Sequence, residues 1–208
     1  LSSADVAVIA VPSYAGRVPA PAIQRLGAMQ GNGAQAILVC VYGNRAYEDT
    51  LVELEDAAQQ AGFQVVAAVA AIAEHSIAHR YAAGRPDEAD ARQLQSFAHK
   101  IQDKLDAGNR SQPQIPGNRP YKKPGSVSMV PKASKGCSGC GLCAVKCPVQ
   151  SIDPSDPKRT DKDLCISCMR CVAICPQSAR KVNSVLLAGA EAALKKVCSQ
   201  RKEGELYL

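Results

Sequence analysis

The 208-residue sequence contains no tryptophan and only eight aromatic side chains, six of tyrosine and two of phenylalanine. Basic residues are scattered and are not interleaved with aromatics, which disfavours a nucleic-acid-binding surface. No apolar run is long enough for a membrane span. The early apolar stretch at residues 6–11 lacks a basic leader and a cleavage site, so we interpret it as a strand. These absences favour a cytoplasmic protein, and a reducing compartment disfavours disulfides.

The net charge of +6 is spread along the chain. Residues 1–133 carry 13 basic and 12 acidic side chains, residues 134–180 carry 7 and 4, and residues 181–208 carry 5 and 3. No part is strongly polarised. We therefore expect no nucleic acid among the partners.

Three apolar runs near the start are typical of strands buried on both faces of a parallel sheet. They cover residues 5–14, residues 34–43 and, less clearly because of their alanines, residues 62–72. Helical patterns at residues 21–29 and 50–61 separate them, and a longer helix begins near Asp87 and ends at Gly108. This alternation predicts an α/β, doubly wound parallel sheet over residues 1–107.

The remaining chain is predicted to have three parts. Residues 108–134 contain five prolines and three glycines, which indicates an extended linker. Residues 135–182 carry a cysteine repeat. Residues 183–208 are predicted to form a helix over residues 184–198 and then a frayed tail.

Eight of the ten cysteines lie in two copies of the spacing C-x2-C-x2-C-x3-C-P. This spacing is typical of proteins that hold two [4Fe-4S] clusters, in which the fourth cysteine of each copy binds the cluster of the other copy. We predict that one cluster is ligated by Cys137, Cys140, Cys143 and Cys175. We predict that the second is ligated by Cys165, Cys168, Cys171 and Cys147. Zinc is the main alternative, but it prefers paired C-x2-C knuckles and would leave cysteines of this spacing surplus.

Other residues of the repeats have supporting roles in this hypothesis. Gly139 and Gly141 allow backbone amides to turn toward the sulfurs. Apolar neighbours are expected to keep water from the clusters: Leu142, Val145, Ile152, Ile166, Met169 and Ile174. Cys40 and Cys198 lie outside the spacing, and we interpret both as structural thiols. Residues 135–181 resemble the bacterial two-cluster ferredoxins, which implies a small α+β domain and low-potential transfer of single electrons.

Three of the eight aromatics fall in two loops that follow predicted strands: Tyr14, Tyr42 and Tyr47. Ligands of doubly wound sheets bind beyond the carboxyl ends of the strands. Aromatic faces together with Gly16 and Gly43 would suit a flat ring, because glycine lets the backbone approach closely.

The segments VPSYAGRVP, VYGNRAYEDTL and IAEHSI resemble the flavodoxin half of flavodoxin-ferredoxin fusion proteins of anaerobic bacteria, and the likeness covers nearly the whole chain. It implies a flavodoxin-like sheet and an FMN ring between two loops. The residues implied in the first loop are Tyr14, Ala15, Gly16 and Arg17. Those in the second are Tyr42, Gly43, Asn44, Arg45 and Tyr47.

One part of the flavodoxin pattern has no counterpart. Flavodoxins hold the FMN phosphate in a loop after their first strand, whereas Leu1 opens on what resembles the family's third strand. That strand would then have an unpaired apolar edge. We therefore expect the chain to be a fragment of a longer protein, and FMN to bind stoichiometrically only when the missing segment is present.

The sequence thus predicts an electron-transfer protein whose partners are other redox proteins, with FMN as a further cofactor that could couple two-electron to one-electron chemistry. A flavin-dependent reductase acting on a small molecule is the alternative. A redox sensor is a third class. No nucleophile-base pair or substrate pocket stands out, which favours the carrier over the enzyme.

Overall fold

The computed structural model describes residues 1–123 and 129–208, which divide into two compact units. The first unit comprises residues 1–75, 79–123 and 197–208, and the second comprises residues 76–78 and 129–196. The part of the predicted linker at residues 124–128 lies outside the described residues.

A four-stranded sheet forms the centre of the first unit. Strands β1 (Val6–Pro12), β2 (Gln35–Tyr42) and β3 (Gln64–Ile72) are parallel and adjacent in that order, as the apolar runs predicted. In β3 every residue after Gln64 is buried. Its alanines form a strand because the position between two neighbouring strands satisfies the backbone and buries both faces.

Helices cover both faces of this sheet. On one face, α1 (Ala20–Gly27) and α2 (Thr50–Gln60) contribute Leu26 and Leu54 to a core shared with β2. On the other face, α3 (Glu88–Asp106) packs its apolar side chains against β3. The N-terminus of α3 is capped by Asp87, whose side chain accepts hydrogen bonds from the amides of the first turn. The result is a mixed α/β unit with a parallel sheet between two helical layers.

The C-terminal tail is not frayed, and that expectation was wrong. Residues Glu205–Tyr207 form strand β6, which pairs antiparallel with β3 and completes the sheet in the order β1-β2-β3-β6. Two arginines fix the approach to β6: Arg201 pairs with Asp87, and Arg85 donates to the carbonyl of Lys202 at 2.8 Å. Paired backbone and charged contacts together offset the entropy lost on ordering the tail.

Residues 108–123 of the predicted linker are extended but are fastened to the first unit, whereas residues 129–134 belong to the second unit. The Asp49 carboxylate accepts hydrogen bonds from the amides of Asn118 and Lys122 at 2.9 and 2.7 Å. Arg119 forms ion pairs with Glu55 and Asp56. Residues 108–123 therefore belong to the first unit.

Strand β1 lies at one edge of the sheet and pairs, among the described residues, with β2 alone. Val6 and Val8 are 46 % and 66 % exposed. Within residues 1–123 and 129–208 this edge is apolar and open, as the sequence predicted.

The second unit contains short elements around the cysteine repeats. Strands β4 (Lys132–Ala133) and β5 (Arg180–Lys181) pair antiparallel, and two one-turn helices, α4 (Leu142–Val145) and α5 (Arg170–Ala173), follow the cysteine loops. Helix α6 (Ser184–Cys198) has the predicted bounds. No helix in the described ranges combines the length and the apolar character needed to cross a membrane.

Candidate iron-sulfur site

The two cysteine loops have the same backbone shape. In the first repeat Gly139 and Gly141 are left-handed, with φ of +73° and +75°, and in the second the equivalent Ser167 and Met169 have φ of +52° and +58°. Left-handed conformation is free for glycine but costs other residues about 1–2 kcal/mol each. The second repeat therefore adopts this shape at a cost that the first avoids.

Each loop opens on a cavity lined by four cysteines. The first cavity, of about 330 Å³ including its mouth, is lined by Cys137, Cys140, Cys143 and Cys175. The second, of about 340 Å³, is lined by Cys165, Cys168, Cys171 and Cys147. Each cavity thus takes three cysteines from one repeat and the fourth from the other. The grouping is the same as the one that the spacing predicts for two clusters, while ligation itself stays a prediction.

Apolar side chains complete the walls. Leu142 lines the first cavity, and Ile152, Ile166 and Met169 line the second. Val145 was expected to shield a cluster, but its side chain is 78 % exposed. Val145 does not line the first cavity because α4 is only one turn long and turns a single side, with Leu142, toward it.

Hydrogen bonds reach the sulfur of the fourth cysteine in both repeats. The amide of Ser151 donates to Cys147 Sγ at 3.3 Å, and the Ser151 hydroxyl lies 3.3 Å from the same sulfur. Burial raises the pKa of Cys147, but the Ser151 hydroxyl and nearby amides outweigh it and lower the pKa. At Cys175 the amide of Ala179 donates at 3.3 Å and lowers the pKa. Both sulfurs therefore favour the thiolate, which is the ligating form.

Burial acts in the opposite direction on two other cysteines. It raises the pKa of Cys168, and it raises the pKa of Cys171 to about 11. An iron centre deprotonates a coordinating thiol outright, so burial does not prevent these residues from serving as ligands.

Four cysteines line each cavity, and four cysteines are the ligand set of an iron-sulfur cubane. Among residues 1–123 and 129–208, no three His, Cys, Asp or Glu side chains form a group that could hold a single metal ion.

Comparison with known proteins agrees with this geometry. Residues 136–180 match the 4Fe-4S dicluster domain. The second unit therefore contains a ferredoxin-type dicluster domain, a module of iron-sulfur electron transfer. No curated protein and no solved structure matches the chain. The match covers the cysteine repeats.

The flavodoxin resemblance implied FMN contacts at two loops of the first unit. In the structure, residues of these loops contact other parts of the chain. Asn44 is 2 % exposed, and its amide donates to the carbonyls of Cys198 and Gln200 at 2.9 and 2.8 Å. The Tyr47 hydroxyl lies 2.6 Å from that of Tyr207 on β6. Tyr42 is buried and packs edge-on against Tyr47. The tail thus takes the polar groups that a flavin edge would need.

The first of the two loops is also held by contacts within the chain. Tyr14 and Arg17 pair across a tight turn that contains Ala15, and the guanidinium of Arg17 binds Glu53 at 2.7 Å. A Cβ atom at Gly16 would lie 1.8 Å from the Glu48 carboxylate, so Gly16 supplies room for that side chain.

The second loop is also held by contacts within the chain. Arg45 pairs with Glu48 at 2.7 Å, and a Cβ atom at Gly43 would lie 2.7 Å from His75 Cα. The FMN contacts that the resemblance implies at these loops stay a prediction. Glycines and tyrosines at such loops can serve contacts within the chain as well as a ligand, and the sequence pattern cannot separate the two uses.

The two remaining cysteines lie outside both cavities. Cys40 on β2 and Cys198 at the end of α6 are buried. Burial raises the pKa of each thiol. Both have the surroundings of structural thiols.

Proposed function

We propose that the chain is an electron-transfer protein that passes single electrons through two [4Fe-4S] clusters held in its dicluster domain. One observation carries the proposal: two separate cavities, each lined by four cysteines, with the fourth cysteine exchanged between the repeats. When bound, such clusters supply one-electron chemistry at low potential.

The protein side chains have defined tasks in this proposal. The eight cysteines of the repeats hold the clusters. Ser151 and Ala179 donate hydrogen bonds to the sulfurs of the fourth cysteines, which stabilises added negative charge. Ile152 and Met169 exclude water from the second cavity, and this raises the strength of each electrostatic contact there.

The exposed side of the first cavity indicates which kind of partner could bind. Cys140 is exposed, and Leu142 beside it is 36 % exposed. A redox protein that docks over this point would come close to the first cluster. We therefore propose that the partners are redox proteins that bind weakly and exchange electrons.

No flavin step enters the proposal, because the residues implied by the flavodoxin resemblance bind the tail or one another. The alternative of a flavin-dependent reductase needs the same residues to contact a ring, and no observation favours it. A third possibility, a redox sensor, would need an output module.

The first test counts metal. After purification under argon, or after reconstitution with iron and sulfide, the chain should carry about eight iron atoms and about eight sulfides. Cys40→Ala is a matched control, because it removes a buried cysteine that lies outside the cavities. It should leave the iron content unchanged. A colourless protein with zinc, or with disulfides at the repeats, would contradict the proposal.

A second test addresses the exchange of the fourth cysteine. Cys175→Ala and Cys140→Ala should each disturb the same cluster and give the same residual electron paramagnetic resonance spectrum. Cys147→Ala should instead give the spectrum of Cys168→Ala. If Cys175→Ala resembles Cys168→Ala, each repeat holds its own cluster and the proposed ligand sets are wrong.

A further inference from the structure

The two repeats differ at the fifth residue after the fourth cysteine. The first repeat has Ile152 there and the second has Arg180, and both are only 2 % exposed. Ile152 lines the cavity of Cys147, and Arg180 lines the cavity of Cys175. Two equivalent positions thus place an isoleucine in the lining of one cavity and an arginine in the lining of the other.

Backbone oxygens and a hydroxyl hold the guanidinium of Arg180. Its Nη1 donates to the carbonyl of Pro131 at 3.1 Å and to Thr160 Oγ1 at 2.8 Å, and its Nη2 donates to the carbonyl of Pro157. No carboxylate within the described ranges forms an ion pair with Arg180. The Nε of Arg180 is buried and has no hydrogen-bond partner among the described residues.

A buried charge of this kind calls for a compensating anion. Burying a cation without a counter-charge is costly, and an orphaned buried donor adds to the cost. A [4Fe-4S] cluster with four cysteine thiolates carries a charge of about −2, and its sulfurs are hydrogen-bond acceptors. The occupant proposed for the first cavity therefore supplies the counter-charge that Arg180 lacks.

We propose that Arg180 raises the reduction potential of the cluster held by Cys137, Cys140, Cys143 and Cys175, so that this cluster accepts an electron before the other one. The inference rests on the proposed function. One electron from a redox protein or from dithionite enters the cluster, and no bond forms or breaks. The charge of the cluster and its thiolates changes from about −2 to about −3, and a fixed cation nearby favours the more negative state.

Two observations bear on how selective the effect is. The positive charge of Arg180 also reaches Cys171 of the second group, where it opposes the rise in pKa that burial causes. In addition, the Ser151 hydroxyl near Cys147 stabilises added charge on the second cluster. A full buried charge acts more strongly than one hydrogen bond at 3.3 Å, and Arg180 lines the first cavity itself. We therefore expect both potentials to depend on Arg180, the first one more.

The experiment compares four variants of the full chain with the original protein, all loaded with clusters under argon. Arg180→Ile copies the residue of the first repeat, Arg180→Gln removes the charge but keeps polar contacts, and Arg180→Lys keeps the charge. Arg159→Gln removes one positive charge from a side chain that is 76 % exposed and serves as the control. Iron and sulfide are counted first, and potentiometric titrations followed by electron paramagnetic resonance then give the two midpoint potentials.

In Arg180→Ile and Arg180→Gln, the higher midpoint should fall, and the ratio of reduced to oxidised cluster at fixed potential should drop about tenfold. For a one-electron couple this equals about 59 mV. The lower midpoint should move less, so that the gap between the two narrows. Arg180→Lys should keep most of the gap, and Arg159→Gln should move neither midpoint.

If Arg180 had only a structural role, its variants would change stability and leave both midpoint potentials unchanged. Full iron with an unchanged gap in Arg180→Ile, or in Arg180→Gln, would overturn the inference and leave the proposed function intact. If neither uncharged variant loads iron while Arg180→Lys does, the charge serves assembly instead of tuning, and this also overturns it. An original protein without clusters would instead overturn the proposed function.

Discussion

The two units of the protein are stabilised by different kinds of core. In the first, large aliphatic side chains such as Leu38, Leu51 and Leu54 are fully buried between the sheet and its helices. In the second, one core cluster consists of Cys143, Ala144 and Ile152, with Cys147 and Cys171 packed against it. The first core is made of hydrocarbon, whereas the second consists largely of cysteine side chains.

This difference has a thermodynamic meaning. Buried hydrocarbon stabilises a fold by leaving water, and it does so without any ligand. A core of cysteines that lines cavities for an inorganic group would couple folding to the binding of that group. The first unit should fold by itself, and the second should fold with its clusters.

The largest expected effect is that of cluster removal. Chelation of iron under an oxidant should abolish protection from amide hydrogen exchange in the second unit, because its thiolates repel one another and its cavities collapse. Strands β2 and β3 should keep their protection. Hydrogen exchange measured by mass spectrometry before and after chelation tests this difference, and equal loss in both units would contradict it.

A smaller effect is expected from the buried ion pair near the tail. The side chains of Arg85 and Asp90 are 4 % and 5 % exposed, and Arg85 also holds the carbonyl of Lys202. Arg85→Ala should lower the free energy of unfolding of the first unit by up to about 3–5 kcal/mol, since it removes the buried partner of the Asp90 carboxylate and leaves it only the partly exposed Arg201 at 3.1 Å.

The matched control for that change is Arg92→Ala. The Arg92 side chain is 71 % exposed and faces Glu88 on the surface of α3. Its removal should cost at most about 1 kcal/mol. Denaturant unfolding followed by circular dichroism gives the free energy of unfolding of both variants. Equal losses would show that the buried pair contributes no more to stability than the exposed one.

A change in the aliphatic core should be felt by one unit only. Leu38 is 0 % exposed in the centre of β2, so Leu38→Ala should destabilise the first unit by about 2–5 kcal/mol through a cavity and lost burial. Iron and sulfide contents should stay at the level of the original protein. A loss of iron in this variant would mean that the two cores are coupled.

The smallest effect concerns alkaline pH. Burial, together with the hydrogen bond to Glu205, raises the pKa of Tyr207 to about 12 from the usual value near 10. The folded state thus favours the neutral phenol. This contribution to stability is complete below about pH 10 and is lost as the pH rises toward about 12. In Tyr207→Phe, the stability should therefore fall less steeply with rising pH, as measured by denaturant midpoints between about pH 9 and 12.

Much of this organisation can be predicted from the sequence because its causes are local. Apolar runs predict β1 and β2, and the spacing of Cys137, Cys140 and Cys143 predicts three sulfurs of one group, since a few intervening residues fix the loop. The three residues of β6 are too few for a periodic signal, and their partner β3 lies more than a hundred residues away. The opposite charges of Arg201 and Asp87 are compatible with this contact, but the sequence alone does not pair them.

The loops after β1 and β2 show a second limit of prediction. A tyrosine or asparagine that follows a strand can face a ligand or another part of the chain, and composition is the same in both cases. Asn44 binds the backbone near Gln200, and only the fold brings these positions together. In the same way, Arg180 has no distinguishing pattern in the sequence until its burial beside the first cavity is known.

Strand β6 follows the cysteine repeats in the chain, yet it completes the sheet of the first unit. During synthesis the ribosome must therefore finish the whole dicluster domain before β3 receives its last neighbour. A nascent chain that stalls within the repeats leaves that strand with open hydrogen-bonding groups, and such edges attract chaperones or other chains. The pairing of β6 with β3 thereby depends on a translated dicluster domain.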